Sequence, residues 1–127
     1  MTLPNISNIF KKRPIEERFS YIVQCKKNYF GGVYPGDRNA KEKTGYKILV
    51  EIAKSYFDKN LYDDFAAYFM EGQYFIQLWT AHLILEYGQP NEELKKRCFD
   101  EIEKYADNNL SPKVADQEKE WLMTYGK

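Results

Sequence analysis

The stretch "QYFIQLWTAHLILEYG", residues 73–88, decides the fold. Apolar side chains fall on nearly every side of a helix drawn through it, whereas a surface helix of a globular protein carries a single apolar stripe. We therefore predict a central helix that is packed on several sides. Gly88 and Pro90 mark its end, because glycine commonly follows the last helical turn and proline cannot continue it.

Upstream of this stretch, apolar residues recur at helical spacing in three further segments. The first begins at Pro14 and ends at Gly31 and Gly32. We expect it to bury one stripe, interrupted only by Lys26, that consists of Ile15, Phe19, Ile22, Val23 and Phe30. The second ends at residues 58–60 and carries the apolar residues Ile48, Leu49, Ile52, Ala53, Tyr56 and Phe57. The third is a short helix over about residues 61–70, with Phe65, Ala66 and Phe69 directed inward.

Downstream, the fifth helix shows one apolar stripe of Leu94, Cys98, Ile102 and Tyr105, and Ser111 with Pro112 is typical of the start of a sixth. No segment alternates with the period of two that a half-buried strand requires. The sequence thus predicts a single all-α domain over residues 1–127, with an N-terminal arm at 1–13 and about six helices in antiparallel hairpins. A compact bundle and a short HEAT-like stack both satisfy this pattern.

Charge and composition narrow the class of protein. The net charge is zero, which argues against a general nucleic-acid binder. Residues 1–58 carry eleven Lys/Arg against six Asp/Glu, and residues 59–127 carry eight against thirteen, so one acidic and one basic face are expected. Apolar runs are too short for a signal peptide or a bilayer span, and the two cysteines lack CxxC spacing. We expect a cytoplasmic protein with free thiols and no membrane partner.

The loop "YFGGVYPGDRNAK", residues 29–41, combines aromatic rings with closely spaced glycines. It lacks the lysine and serine of a phosphate-binding GxxxxGK[ST] loop, and it lies between helices. Its centre suits a type II turn, in which Pro35 takes the second position and Gly36 supplies a positive φ at the third. Tyr29, Phe30 and Tyr34 then either pack over the helix ends or form a contact patch.

Catalytic and metal-binding patterns are weak. His82 is the only histidine, and it shares a helix face with Glu86, four residues later. One histidine and one carboxylate are too few ligands for zinc, and nucleophile motifs are absent. We expect a buried histidine bonded to Glu86 or to a carbonyl, no cofactor, and no enzymatic activity. A hydrolase built on His82 and a carboxylate is the remaining catalytic alternative.

Two groups of carboxylates stand out. They are Asp63 with Asp64 at the start of the short third helix, and Asp100, Glu101, Glu103 and Asp107 on the fifth helix. Such runs usually form a solvated helix face. They also suit an acidic docking surface, where charge speeds encounter with a basic partner, and a general acid and base is a third interpretation.

The segment over about residues 60–122 resembles the small helical immunity proteins of bacterial polymorphic toxins, in particular the partners of contact-dependent growth inhibition toxins. The resemblance rests on a tryptophan-bearing apolar helix, a Gly-x-Pro break, an acidic amphipathic helix and the final "SPxVxxQExxWL" segment at 111–122. The resemblance implies a role for the protein but does not identify its site residues.

This resemblance implies a protein that caps the active site of a cognate toxin, often a nuclease, and so prevents self-intoxication. A basic nuclease cleft fits an acidic face, which indicates a toxin-binding surface on the outer side of the fifth helix together with the short third helix. The residues of this hypothesis are Asp63, Asp64, Asp100, Glu101, Glu103, Asp107 and an exposed Tyr105. The alternative is a helical-repeat adaptor or regulatory subunit that uses the aromatic loop at 29–34 as its contact patch.

Overall fold

The computed structural model describes residues 20–108 and 110–125. The α-helices are α1 over residues 20–31 of the described chain, α2 (Thr44–Asp58), α3 (Tyr62–Ala66), α4 (Ile76–Tyr87), α5 (Glu92–Ala106) and α6 (Pro112–Tyr125). Short 3-10 helices lie at Arg38–Ala40 and Ala67–Met70. The predicted N-terminal arm at 1–13 lies outside the described residues.

The all-α prediction is confirmed, and the described helices pack as a compact bundle. α4 is its centre, because Ile76, Leu78, Trp79, Leu83 and Ile84 are all buried although they point in different directions around the helix. Its most extensive neighbour is α5, which in turn packs along α6. The prediction from the 73–88 stretch therefore holds for the helix itself.

Two helix starts have clear local causes, and that of α6 was predicted from Ser111 and Pro112. The backbone amide of Leu94 donates to the side chain of Asn91 at 2.8 Å, which caps α5 at its start. α6 begins at Pro112, where a missing N–H leaves no hydrogen bond unmade. The two cysteines, Cys25 and Cys98, are free and buried, as expected.

The predicted buried stripe of α1 is wrong in its register. Tyr21, Cys25 and Asn28 are the buried residues, whereas Ile22 and Val23 of the predicted stripe are only half-buried and Phe30 is exposed. Polar partners on other helices explain the difference: the hydroxyl groups of Tyr21 and Thr80 lie 2.9 Å apart, and Asn28 donates to the carbonyl of Gly45 at 3.2 Å. Ile15 and Phe19 of the predicted stripe precede the described residues.

The start of α4 also differs from the prediction. Tyr74 and Phe75 adopt φ angles of 54° and 57°, so the helix begins at Ile76 and the preceding residues form a turn. Residues other than glycine seldom take this left-handed conformation. Among the described residues, no helix is both long and apolar enough to cross a membrane.

Candidate functional site

A buried polar cluster surrounds His82 at the centre of α4. His82 Nδ1 lies 2.8 Å from Glu86 Oε2, and His82 Nε2 lies 2.6 Å from Glu118 Oε1 on α6. Trp121 Nε1 donates to Glu86 Oε2 at 3.0 Å, and Lys41 Nζ donates to Glu86 Oε1 at 2.7 Å. The cluster thus joins α4, α6 and the connection before α2. The expected bond from His82 to Glu86 is confirmed, and Glu118 is a second partner that spacing did not reveal.

The charges within this cluster compensate one another. Burial alone would lower the pKa of His82, but the charges and hydrogen bonds of Glu118 and then Glu86 outweigh burial and raise the pKa to about 9. Burial alone would raise the pKa of Glu86, but its bonds to His82 and Lys41 hold that pKa below its usual value. His82 is therefore an imidazolium at neutral pH that donates to a carboxylate on each side.

The connection between α1 and α2 closes over the cluster at Gly36. The amide of Asp37 donates to the carbonyl of Tyr34 at 3.3 Å, so the predicted turn is present. Gly36 does not have the positive φ expected of a type II turn. Its role is steric, because a Cβ at this position would lie 2.1 Å from Glu118 Oε2.

The burial and hydrogen bonding of the His82 cluster are those of a structural element. The side chains of His82, Glu86 and Glu118 are at most 3% exposed, and a protonated histidine bonded at both nitrogens has no lone pair with which to accept a proton. Within the described ranges, no group of three or more histidine, cysteine and acidic residues is arranged to hold a metal ion. Trp121, whose indole N–H belongs to the cluster, also stacks on the Tyr125 ring at a centroid distance of 4.6 Å.

A second concentration of aromatic rings lies at the surface. The residues of the predicted contact patch are placed together with aromatic residues from two other segments: Tyr29, Phe30, Tyr34, Tyr74, Phe75 and Tyr105. Tyr29 and Phe30 are 39% and 72% exposed, whereas Tyr34 is half-buried with its ring against Phe75. Part of this set borders a groove of about 450 Å³, which we call the aromatic groove; its aromatic lining is Tyr29, Tyr74, Phe75 and Tyr105.

The left-handed turn at Tyr74 and Phe75 creates this arrangement. It directs the Tyr74 ring toward Tyr29, at a centroid distance of 5.6 Å, and the Phe75 ring toward Tyr105, at 5.9 Å. Such conformations cost on the order of 1–3 kcal/mol each and often occur at functional sites. The hydroxyl of Tyr105 also donates to Gln77 Oε1 at 3.2 Å, which fixes the ring at the rim.

The structure divides the predicted acidic residues between different surfaces. Asp100 and Glu103 on α5 and Asp107 directly after it are exposed, and Asp100 already forms an ion pair with Lys96 at 3.1 Å. Glu101 is not on the outer face as predicted: its side chain is only 12% exposed, because position 101 borders the buried stripe of the helix. Tyr105 is half-buried rather than exposed, for the same reason.

Asp63 and Asp64 lie at a distance from the aromatic groove. Both are exposed, and Asp63 borders another groove of about 630 Å³ between α3 and the first turns of α5. Glu93 and Arg97 line the same space, and the Arg97 guanidinium lies 4.7 Å from the centre of the Phe69 ring. The predicted acidic surface is therefore two areas, near the two ends of α5.

Several contributors escaped prediction, and the sequence signals for Glu118, Tyr74 and Phe75 differ. Glu118 lies on the apolar stripe of α6 with Val114 and Trp121, and a charge at a core position indicates a buried partner. Tyr74 and Phe75 gave no such signal, since their apolar character favoured a helical start. Comparisons with protein families, curated proteins and solved structures gave no match to this chain.

Proposed function

We propose that this chain is a protein-binding domain that acts as an immunity protein: it binds and blocks a cognate toxin domain, often a nuclease, and prevents self-intoxication. The observation that supports it best is the aromatic groove together with the exposed Phe30 ring beside it, since both adjoin the acidic C-terminal end of α5. Tyr105 belongs to both parts, since it lines the groove and lies one turn after Glu101.

The composition of this surface suits a protein interface. Binding energy concentrates in a few large anchors, most often tyrosine, tryptophan and arginine, surrounded by a polar rim. Tyr29 and Phe30 supply exposed rings, and Glu103 and Asp107 supply nearby charge. An interface of standard size buries about 800 Å² per partner, an area large enough to extend from the aromatic groove onto the outer face of α5. A basic substrate cleft of a nuclease complements such an acidic rim.

The test is growth of cells that express the C-terminal domain of the protein encoded immediately upstream, with and without this chain. We expect the domain to arrest growth and an approximately equal amount of this chain to restore it. A catalytically inactive form of the domain should bind the purified chain in a stable complex. If the domain is harmless, or if it kills whether or not this chain is present, the immunity role is wrong.

The second candidate is an adaptor or regulatory subunit of a larger assembly, and the same aromatic groove favours it. Its partner would be a resident protein complex rather than a toxin. Purification of the chain from its native cells would then yield a constant set of proteins in fixed proportion. Loss of that set on replacement of Phe30 by serine, without any effect on toxin resistance, would select this function over immunity.

A further inference from the structure

The walls of the aromatic groove identify the chemistry that they suit. Tyr29, Tyr74 and Tyr105 present π-faces and ring edges from α1, from the turn before α4 and from α5. The negative faces of aromatic rings attract cations, and a planar guanidinium also stacks on them. The molecule already contains one such contact here, since Lys26 Nζ lies 5.7 Å from the centre of the Tyr74 ring.

Two carboxylates, those of Glu101 and Asp107, adjoin residues of the groove lining without lining the groove themselves. Glu101 lies one turn before Tyr105, its Oε2 pairs with the exposed Lys104 at 3.1 Å, and its buried Oε1 has no hydrogen-bond donor among the described residues. A carboxylate in a partly buried position is screened less than one in water. Asp107, which is exposed, directly precedes Asn108 of the groove lining, and the carbonyl end of α5 adds partial negative charge.

We propose that the aromatic groove binds an arginine side chain of the protein partner. The guanidinium stacks on the rings of Tyr29, Tyr74 and Tyr105, and the carboxylates of Glu101 and Asp107 supply its counter-charge. Arginine suits this position better than lysine because its cation is planar and less strongly hydrated. The identity of the partner rests on the proposed function, but the groove's preference for a guanidinium is a property of this chain alone.

The experiment is an NMR titration of the isotope-labelled full chain with N-acetyl-arginine amide. The matched probe is N-acetyl-citrulline amide, which has nearly the same shape but no charge. We expect the arginine probe to shift the amide signals of residues 29, 74, 75 and 105 in a saturable manner, and the citrulline probe to bind at least about threefold more weakly, as exposed cation–π contacts predict. Equal binding of both probes, or shifts spread evenly over all acidic residues, would overturn the proposal.

Three variants sharpen the same titration. Glu101→Gln should weaken binding of the arginine probe about threefold, whereas Glu92→Gln, in the first turn of α5, should leave it unchanged. Lys26→Gln should strengthen binding, because it removes a competing cation from Tyr74. Ser111 and the start of α6 also border the groove and would favour an anion. Stronger binding of N-acetyl-glutamate amide would therefore contradict the assignment.

The result separates this proposal from the immunity role. Growth rescue without binding of the arginine probe would leave the immunity function standing and remove the guanidinium site. Saturable binding of the probe without growth rescue would leave the guanidinium site standing and remove the immunity function.

Discussion

The His82 cluster and the aromatic groove use the same kinds of side chain in opposite ways. Each places carboxylates beside aromatic rings. In the first, His82 bonds to two carboxylates, and Trp121 and the turn at Gly36 close over them. Beside the second, the Phe30 ring is 72% exposed and one oxygen of Glu101 has no donor among the described residues.

The difference indicates what each region contributes. Buried charges that are paired with each other add specificity to the packing of α4 against α6, although they add little net stability over an apolar core. The left-handed turn holds Tyr74 and Phe75 half-buried against the core. The value of the exposed rings beside them, Tyr29 and Phe30, lies in contact with another molecule. Variants in the two regions should therefore separate stability from binding.

The largest effect is expected for His82→Leu. This change removes the partner of Glu118, which is fully buried, and of Glu86, which is nearly so. Breaking a buried pair on one side typically costs about 3–5 kcal/mol of unfolding free energy, because a charge is left without compensation. Urea unfolding followed by circular dichroism measures the loss.

The double variant His82→Leu with Glu118→Met provides the control for that result. It removes both charges of the pair and should regain part of the lost stability. If it is as unstable as His82→Leu alone, packing rather than charge explains the cost, and the description of the cluster as an ion network is wrong.

The pH dependence of stability should show a somewhat smaller effect. Because the folded protein raises the pKa of His82 from 6.5 to about 9, the folded state binds the proton more tightly than the unfolded state. The associated stability is fully present below pH 6.5 and is lost as pH rises through 9, on the order of 3 kcal/mol in total.

Urea unfolding at pH 6, 7.5 and 9 checks this slope, with His82→Gln as the reference. The cysteines and tyrosines titrate in both proteins, so only the difference between the two curves reports on His82. Parallel curves for the two proteins would mean that folding does not raise the pKa of His82.

Gly36→Ala should have the next largest effect. The added Cβ would lie 2.1 Å from Glu118 Oε2, and Glu118 cannot move freely while it is bonded to His82. Overpacking of this kind costs roughly 1–3 kcal/mol. Gly31→Ala is the matched control, since its Cβ would meet nothing within 4 Å and alanine favours a helical position. Thermal unfolding should distinguish them, and equal midpoints would show that the turn at Gly36 yields without cost.

Much of the bundle could be predicted because hydrophobic burial dominates its energetics. The apolar surface of the 73–88 stretch required a central position, and the proline at 112 predicted the start of α6. The register of α1 could not be predicted, because Asn28 and Tyr21 are buried through partners distant in sequence. Hydrophobic periodicity counts such residues as surface.

The candidate site was likewise predictable only where its residues lie close together in the sequence. Spacing of i and i+4 was sufficient to pair His82 with Glu86, but Glu118 lies 36 residues away in sequence. The predicted patch of Tyr29, Phe30 and Tyr34 rested on a local loop. Its completion by Tyr74 and Phe75 depends on a backbone conformation that aromatic residues rarely adopt, so propensity favoured the wrong structure there.

The smallest effect on stability, and the sharpest contrast, is expected for Phe30→Ser. Phe30 is 72% exposed and Met123 on α6 is 71% exposed, so each serine replacement should change the unfolding free energy by no more than about 0.5 kcal/mol. Only Phe30 belongs to the aromatic rings around the groove, because its ring contacts those of Tyr29 and Tyr74. Affinity for the protein partner, measured by calorimetry, should therefore fall about tenfold for Phe30→Ser and stay constant for Met123→Ser. An equal loss in both variants would place the interface on a surface shared with α6, and a loss in Met123→Ser alone would move it away from the aromatic groove entirely.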